Sequence, residues 1–267
     1  MNDSRPGTYQ HLHQGQLKTQ EDANRLSADC ILGIVWEYLQ PNSVLDVGCG
    51  LGTWLAAVQR RGVTDVRGID GPWLTASGVA CDPALVQISD LETGFDLSRR
   101  FDLLICLEVA EHLSSEAADR FVASLVKHSS SILFSAAIPF QGGHHHVNEQ
   151  FLPYWVERFA RHGYQPLDVI RGRIWDDMEI LWWLRQNVIL FVHEDLIAAN
   201  ERLRDVGDDP ARPISVVHPD IYMSRMHRLY TQLDELQRFQ SILRKGGVFR
   251  TAVDRDGRLN VTKIRDR

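Results

Sequence analysis

The chain has 267 residues, a formal net charge of −6 at pH 7, 44% hydrophobic residues and 24% charged residues. This balance excludes wholesale disorder, and an acidic chain carries no general basic field for non-specific nucleic-acid binding. No apolar run reaches the roughly 18 residues of a membrane span, because Arg185, Gln186 and Asn187 interrupt the stretch from Ile180 to Val192. The opening Met-Asn-Asp-Ser-Arg has no apolar signal core, so a cytoplasmic protein is expected. Cys30, Cys49, Cys81 and Cys106 form no C-x-x-C pair, which disfavours a disulfide framework or a zinc knuckle.

Residues 1–24 are polar, with His11 and His13, and read as an N-terminal arm. Ile31, Ile34, Val35 and Tyr38 then recur at helical spacing up to Pro41. A repeating rhythm follows. Short apolar runs at 44–47, 66–69, 85–89, 101–107 and 131–138 predict five strands, four of them stopping at Gly48, Asp70, Asp90 or Glu108. Segments 53–61, 115–127 and 151–162 predict helices, and 167–170 and 187–193 two further strands. Apolar strands alternating with helices predict an α/β chain with a mostly parallel sheet covered on both faces. This domain is expected to span 25–202, followed by a linker at 203–217 with Gly207, Pro210 and Pro213. Residues 218–267 then form a C-terminal helical extension with a basic tail. Its helix carries Leu229, Leu233, Leu236, Phe239 and Leu243 in one stripe, fit to pack on the main domain or on a second copy as a homodimer. The stripe is too short to read as a coiled coil. The arginine-rich tail after Gly247 reads as a solvated, partly mobile segment.

The most informative segment is Asp46-Val47-Gly48-Cys49-Gly50-Leu51-Gly52-Thr53-Trp54, between a strand and a helix. Glycines here allow a tight turn and let a ligand approach bare backbone. A dinucleotide fingerprint needs its third glycine at position 53, which is Thr53, and the missing G-K-[ST] excludes a phosphate-binding P-loop. An acid just before the loop suits a cationic ligand. S-adenosylmethionine (AdoMet) has an ammonium and a sulfonium and no phosphate. Asp70, 18 residues beyond Gly52, can accept ribose hydroxyls, and Asp90-Leu91 can meet an adenine amino group and cover its ring. Alone, the glycines could make only a tight turn, and each acid could be a turn residue or cap. In series at one sheet edge they form a ligand site.

Val44–Leu55 with Asp70, Asp90-Leu91 and Cys106-Leu-Glu-Val-Ala-Glu-His-Leu113 resembles the class I AdoMet-dependent methyltransferases over roughly residues 25–195. The resemblance implies a Rossmann-like, doubly wound, seven-stranded sheet whose last strand is antiparallel. It implies that Asp46, Gly48, Cys49, Gly50 and Gly52 line the methionine moiety and that Asp70 and Gly71 meet the ribose. Asp90 and Leu91 would meet the adenine, with Leu107 and Glu108 closing the floor. Trp54 departs from the small or aliphatic residues common at its position, and is either a cofactor contact or core.

Methyl transfer from a sulfonium is an in-line displacement, so alignment and exclusion of water dominate. A hydroxyl acceptor also gains from a base or a metal that lowers its pKa. Glu108-x-x-Glu111-His112 follows one strand, and Gly142-Gly143-His144-His145-His146-Val147-Asn148-Glu149 follows the next. Neighbouring strands would bring the two segments face to face, with Glu108, Glu111, His112, His145 and His146 as catalytic candidates. Glu108, Glu111, His112 and His146 together suit Mg²⁺, Mn²⁺ or Zn²⁺. The E-x-x-E-H pattern is similar to that of ubiquinone-pathway O-methyltransferases and of small-RNA 2′-O-methyltransferases, where these residues are metal ligands. Alternatively, Glu108 and His112 only orient the substrate loop and cap a helix. The Gly-Gly-x-x-His-Val-Asn-Glu phrase and Trp182-Trp183-Leu184-Arg185-Gln186-Asn187 resemble bacterial methyltransferases of surface glycans and secondary metabolites. The expected function is therefore O-methylation of a small-molecule or glycan hydroxyl. An RNA 2′-O-methyltransferase and a non-catalytic AdoMet-binding scaffold are the alternatives, and the acidic charge weighs against nucleic acid.

Overall fold

The computed structural model describes residues 20–72, 74, 81–206, 215–244, 248–253 and 259–265. His11 and His13 of the arm, Gly207 to Pro213 of the linker, and Arg255, Arg258 and Arg267 of the tail lie outside the described residues. The chain divides into two compact units, Met1–His218 and Pro219–Arg267.

In chain order the first unit contains α1 (Gln20–Tyr38), β1 (Ser43–Val47), α2 (Thr53–Arg60), β2 (Asp65–Asp70), β3 (Val86–Ile88) and β4 (Leu103–Leu107). It continues with α3 (Ala118–His128), β5 (Ser131–Ser135), α4 (Leu152–Ala160), β6 (Tyr164–Leu167), α5 (Arg171–Ile174), α6 (Trp182–Asn187), β7 (Ile189–His193), α7 (Glu194–Ala199) and α8 (Glu201–Arg204). The sheet order is β3-β2-β1-β4-β5-β7-β6. β1 to β5 pair in parallel, and β7 runs antiparallel to both β5 and β6. This is the doubly wound, seven-stranded arrangement expected from the sequence. The order reverses direction between β1 and β4, which opens a crevice at the carboxyl ends of these strands.

Side-chain alternation along each strand builds two core layers. Val44 and Leu190 face the layer that holds Ile31 and Val35 of α1 and Leu55 of α2. Leu45, Phe134 and Phe191 face the layer that holds Phe121 of α3 and Trp155 and Phe159 of α4. Phe159 stacks on Phe191 with ring centroids 4.1 Å apart. Burying each such ring is worth about 1.5–3 kcal/mol.

Two strands differ from the sequence-based expectation. The strand expected at 167–170 lies at Tyr164–Leu167, and Ile170 instead leads into α5. Pro166 is tolerated because β6 is an edge strand, with β7 on one side only. β5 ends at Ser135 rather than 138, where its ladders with β4 and β7 end, so Ala136 to Ile138 leave the sheet as a buried loop toward the crevice.

The second unit contains α9 (Pro219–Arg244) and an antiparallel hairpin of β8 (Val248–Val253) and β9 (Leu259–Arg265). The stretch expected to be a solvated tail thus holds two strands, in keeping with the β-branched Val248, Val253, Val261 and Ile264. Among the described residues, no helix is long and apolar enough to cross a membrane.

Candidate active site

The glycine loop is fastened to the end of β2. Gly48 N–H and Cys49 N–H both donate to the Ile69 carbonyl, at 2.7 and 3.1 Å. Gly48, Gly50 and Gly52 all have positive φ. A Cβ on Gly48 would stand 2.2 Å from Val109 Cγ2, and one on Gly52 would stand 2.5 Å from Cys81 Sγ. At Gly50 a Cβ would meet nothing within 4 Å, so the loop is closed behind its first and third glycines and open at its second. Asp70, 4% exposed, ties the open point down. Its Oδ2 accepts from Gly50 N–H and its Oδ1 from Gly71 N–H, each at 2.6 Å.

Asp46 lies buried beneath this loop, and its Oδ2 has no hydrogen-bond partner. Burial, and secondarily the charge of Asp70, pushes its carboxyl up to about 8. Burial likewise pushes the Cys49 thiol well up, which makes it an inert wall. α2 starts at Gly52 with no side-chain cap, so its first N–H groups remain available to an anion. An orphaned carboxylate oxygen and an uncapped helix start are complementary to the ammonium and carboxylate of an amino acid. The residues present therefore fit the methionine end of AdoMet.

The remaining cofactor candidates are distributed unevenly. Asp90 is exposed, and its Oδ1 accepts from Glu92 N–H at 3.0 Å as the cap of a short 3₁₀ turn. Leu91 is fully buried in the same core layer as Ile69, and Leu107 is half-buried. Trp54 is turned into the core, and its indole N–H donates to Asn24 Oδ1 on α1 at 3.2 Å.

The two polar segments do meet beyond β4 and β5. Val147 N–H and Asn148 N–H both donate to the Glu111 carbonyl, at 2.9 and 3.0 Å. Glu108 sits at φ 54°, a conformation that is costly outside glycine, and precedes a 3₁₀ turn at Ala110–His112. Glu108 therefore does not share a helix face with Glu111. Its carboxylate accepts from Gln141 Nε2 at 2.7 Å and from Asn187 Nδ2 at 3.1 Å. Burial raises its pKa, opposed by hydrogen bonds that include those from Asn187 and Gln141.

Glu111 is fully buried, and neither carboxylate oxygen has a hydrogen-bond partner of normal geometry. Burial, and then the neighbouring Glu108, raises its pKa well above the ordinary value, against a smaller opposing pull from its own N–H and that of Ala137. One donor atom each from Glu111, His112 and His146 lies within 4.8 Å of the others. Of the three consecutive histidines, His144 and His145 are exposed and His146 turns inward. His145 contributes its carbonyl, 3.3 Å from His112 Nδ1. His146 Nδ1 lies 3.0 Å from Glu149 Oε1, and its Nε2 lies 4.0 Å from Glu111 Oε1. A carbonyl or carboxylate can only accept, so each ring donates from Nδ1, which in a neutral imidazole leaves Nε2 as the acceptor. Burial, with His146 next, lowers the His112 pKa and favours its neutral form. Two imidazoles and one buried carboxylate are a donor set that fits a divalent transition metal.

Four supporting residues carry little signal of their role in the local sequence, although Asn187 and Glu149 fall within the two phrases that carry the resemblance. Gln141, Asn187 and Ser135 hold Glu108, the last through its hydroxyl, which accepts from Glu108 N–H at 3.1 Å. Glu149 accepts from Phe140 N–H and Gly142 N–H, at 2.7 and 2.6 Å, as well as facing His146. Their partners are distant in sequence or on loop backbone, so only the Gly-Gly-x-x-His-Val-Asn-Glu phrase hinted at Glu149.

Residues 12–173 match a family model described as a methyltransferase domain. A ubiquinone biosynthesis O-methyltransferase of Neisseria meningitidis serogroup C is 35% identical over 130 residues, covering 45% of this chain and 54% of that protein. The corresponding enzyme of Alkalilimnicola ehrlichii is 34% identical over 130 residues, covering 46% and 52%. The chain thus spans about half the length of these curated relatives. Among solved structures, the sugar N-methyltransferase KedS8 from Streptoalloteichus is 16% identical, with a TM-score of 0.48 over 72% of this chain and 95% of that one. With its family match spanning most of the first unit, this chain belongs to the class I AdoMet-dependent methyltransferases.

Proposed function

We propose that the chain O-methylates a hydroxyl of a small molecule or of a glycan sugar. The observation that carries this reading is Glu111, a buried carboxylate with no hydrogen-bond partner of normal geometry, clustered with two imidazoles whose Nδ1 atoms face other acceptors. An alcohol or phenol must lose its proton as it attacks, and this cluster supplies acceptors for that proton. A neutral amine is nucleophilic enough to attack before it loses a proton, so it depends less on such a set. Within this reading, residues 25–202 act as the catalytic domain, with 203–217 as its linker to the C-terminal extension.

Bound AdoMet supplies an electrophilic methyl on a sulfonium for in-line displacement. Asp46 would face its ammonium, the start of α2 its carboxylate, Asp70 its ribose and Asp90 its adenine, while Leu91 is buried in the core and would not reach the ring. The loop at Gly50 gives it bare backbone to lie against. His112 and His146 are the proton acceptors. Glu149 and the His145 carbonyl keep their Nε2 atoms turned to the reaction centre, and Glu108 is held by Gln141 and Asn187 as a floor. A divalent metal held by Glu111, His112 and His146 would occupy these same Nε2 lone pairs, and would supply Lewis acidity toward an acceptor oxygen in place of proton acceptance by the imidazoles.

The test incubates the chain with labelled AdoMet and pools of catechols, sugar nucleotides and short RNAs, with and without EDTA, and identifies labelled products by mass spectrometry. A methyl ether on a small molecule or sugar is the expected product. A methyl on nitrogen or carbon overturns the reading, and a product formed only on RNA moves it to the 2′-hydroxyl. Full turnover after EDTA, with no metal by elemental analysis, removes the metal and leaves the imidazoles as the acceptors.

A further inference from the structure

α9 runs without interruption over Pro219–Arg244, 26 residues, and at about 1.5 Å per residue forms a rod of about 39 Å. The stripe recognised from Leu229 onward therefore starts a heptad earlier, and a strict seven-residue repeat puts Gln240 in the seam and Phe239 beside it. Tyr222, Met226, Leu229, Leu233, Leu236, Gln240 and Leu243 recur at intervals alternating between four and three residues, the 3.5-residue period of a two-helix seam. On the opposite face His227, Arg228, Thr231, Asp234, Glu235, Arg238 and Ser241 are polar, and only Ile221 and Ile242, near the two ends of the helix, are apolar. On that face Arg238 and Asp234 pair at 2.8 Å, one helical turn apart. Yet Leu229, Leu233 and Leu236 are 47%, 43% and 51% exposed. A row of leucines left open at this period marks an association surface.

We infer that α9 is a parallel, in-register, two-stranded coiled coil with a second copy of this chain, an interaction independent of the methyltransferase reading. The sequence itself identifies the occupant. In a parallel pair the positions flanking the seam meet five residues apart on opposite chains. Arg225 of one copy then stands opposite Tyr230 of the other, Gln232 opposite Gln237, and Phe239 opposite Arg244. These are cation–aromatic, amide–amide and aromatic–cation pairs, with no like charges facing. Gln240, the one amide within the seam, selects the orientation. In register and parallel it meets its own counterpart, amide to amide. In any antiparallel pair it would face Tyr222, Leu229, Leu236 or Leu243, and its amide would be buried against an apolar or aromatic side chain.

The test measures the mass of the full chain at micromolar concentration by sedimentation equilibrium. Wild type should have the mass of two chains. The double variant Leu229→Lys/Leu236→Lys should have half that mass, with the thermal transition of the first unit unchanged. Gln240→Cys should form a covalent dimer under mild oxidation, and wild type should not. A monomeric wild type, a trimer, or a dimer that survives the double lysine substitution overturns the coiled coil. A Gln240→Cys protein that is dimeric but does not cross-link overturns the parallel register.

Discussion

His146 and Glu149 form a local couple, with Nδ1 3.0 Å from Oε1, and the same carboxylate also holds the backbone of Phe140 and Gly142. One side chain thus fixes both the ring orientation and the loop that carries it. Loss of a partner that orients an imidazole in this way typically costs about 10–100-fold in activity or metal affinity. Glu149→Ala should lower kcat by about that factor while KM for AdoMet stays within about twofold, because Asp46 and Asp70 are untouched. Glu149→Gln keeps an acceptor oxygen and should recover part of the loss. A Glu149→Ala enzyme with wild-type kcat would remove His146 from the chemistry.

Asp70 accepts from two backbone N–H groups, at Gly50 and Gly71, so it shapes the cofactor loop besides lining it. Hydrogen bonds to a charged group are worth about 1.5–3 kcal/mol each. Asp70→Ala should therefore weaken AdoMet binding by about 10²-fold in calorimetry. Unchanged affinity would refute the assignment of Asp70 to the ribose.

Asp46 makes cofactor binding and stability depend on pH in a defined direction. Its carboxyl is pushed up to about 8 in the folded chain, against about 4 when unfolded. Between these values the folded chain holds the extra proton. The contribution of this group is fully present below about pH 4 and is lost as pH rises through about 8. An ammonium placed against Asp46 favours the ionised form, so AdoMet binding at pH 7 should release a proton from it. Titrations in two buffers of different ionisation enthalpy should give different heats for wild type, and Asp46→Asn should remove that part of the difference. Identical heats for wild type and variant would mean that the ammonium lies elsewhere.

Two glycines should be sensitive to a single methyl group, for different reasons. A Cβ at Gly143 would stand 2.2 Å from His146 Nε2. Gly143→Ala should reduce turnover more than AdoMet affinity, because the His146 ring must shift from its place. A Cβ at Gly48 would stand 2.2 Å from Val109 Cγ2, at φ 75°. Gly48→Ala should cost about 1–3 kcal/mol of stability from overpacking, with further strain from the backbone, and should weaken AdoMet binding. Wild-type kinetics in Gly143→Ala would show that His146 has freedom to adjust, and a wild-type melting temperature in Gly48→Ala would show the same of Val109.

The seven-stranded sheet was legible because its signal is local. Val44–Val47, Leu103–Leu107 and Ser131–Ser135 are apolar runs that become strands buried throughout most of their length, ending at or just before the residues that line the crevice. Pro166 hid the start of β6, because a proline in an edge strand cannot be distinguished from a strand breaker without knowing which strand lies at the edge. At the site, the residue types were legible and their division of labour was not. Glu108 and Glu111 look alike in E-x-x-E-H. One is hydrogen-bonded by Asn187, 79 residues away, and by Gln141, 33 residues away, while the other is buried with no partner of normal geometry.

The sequence by itself determined the strand–helix alternation, the glycine turn with its preceding acid, and the apolar stripe of the last helix. Each is a matter of spacing along a chain whose backbone periods are fixed. Only the tertiary structure decided which carboxylate stays unpaired, which of three adjacent histidines turns inward, and that Trp54 joins the core. Those outcomes depend on burial and on hydrogen-bond partners that folding brings from distant segments.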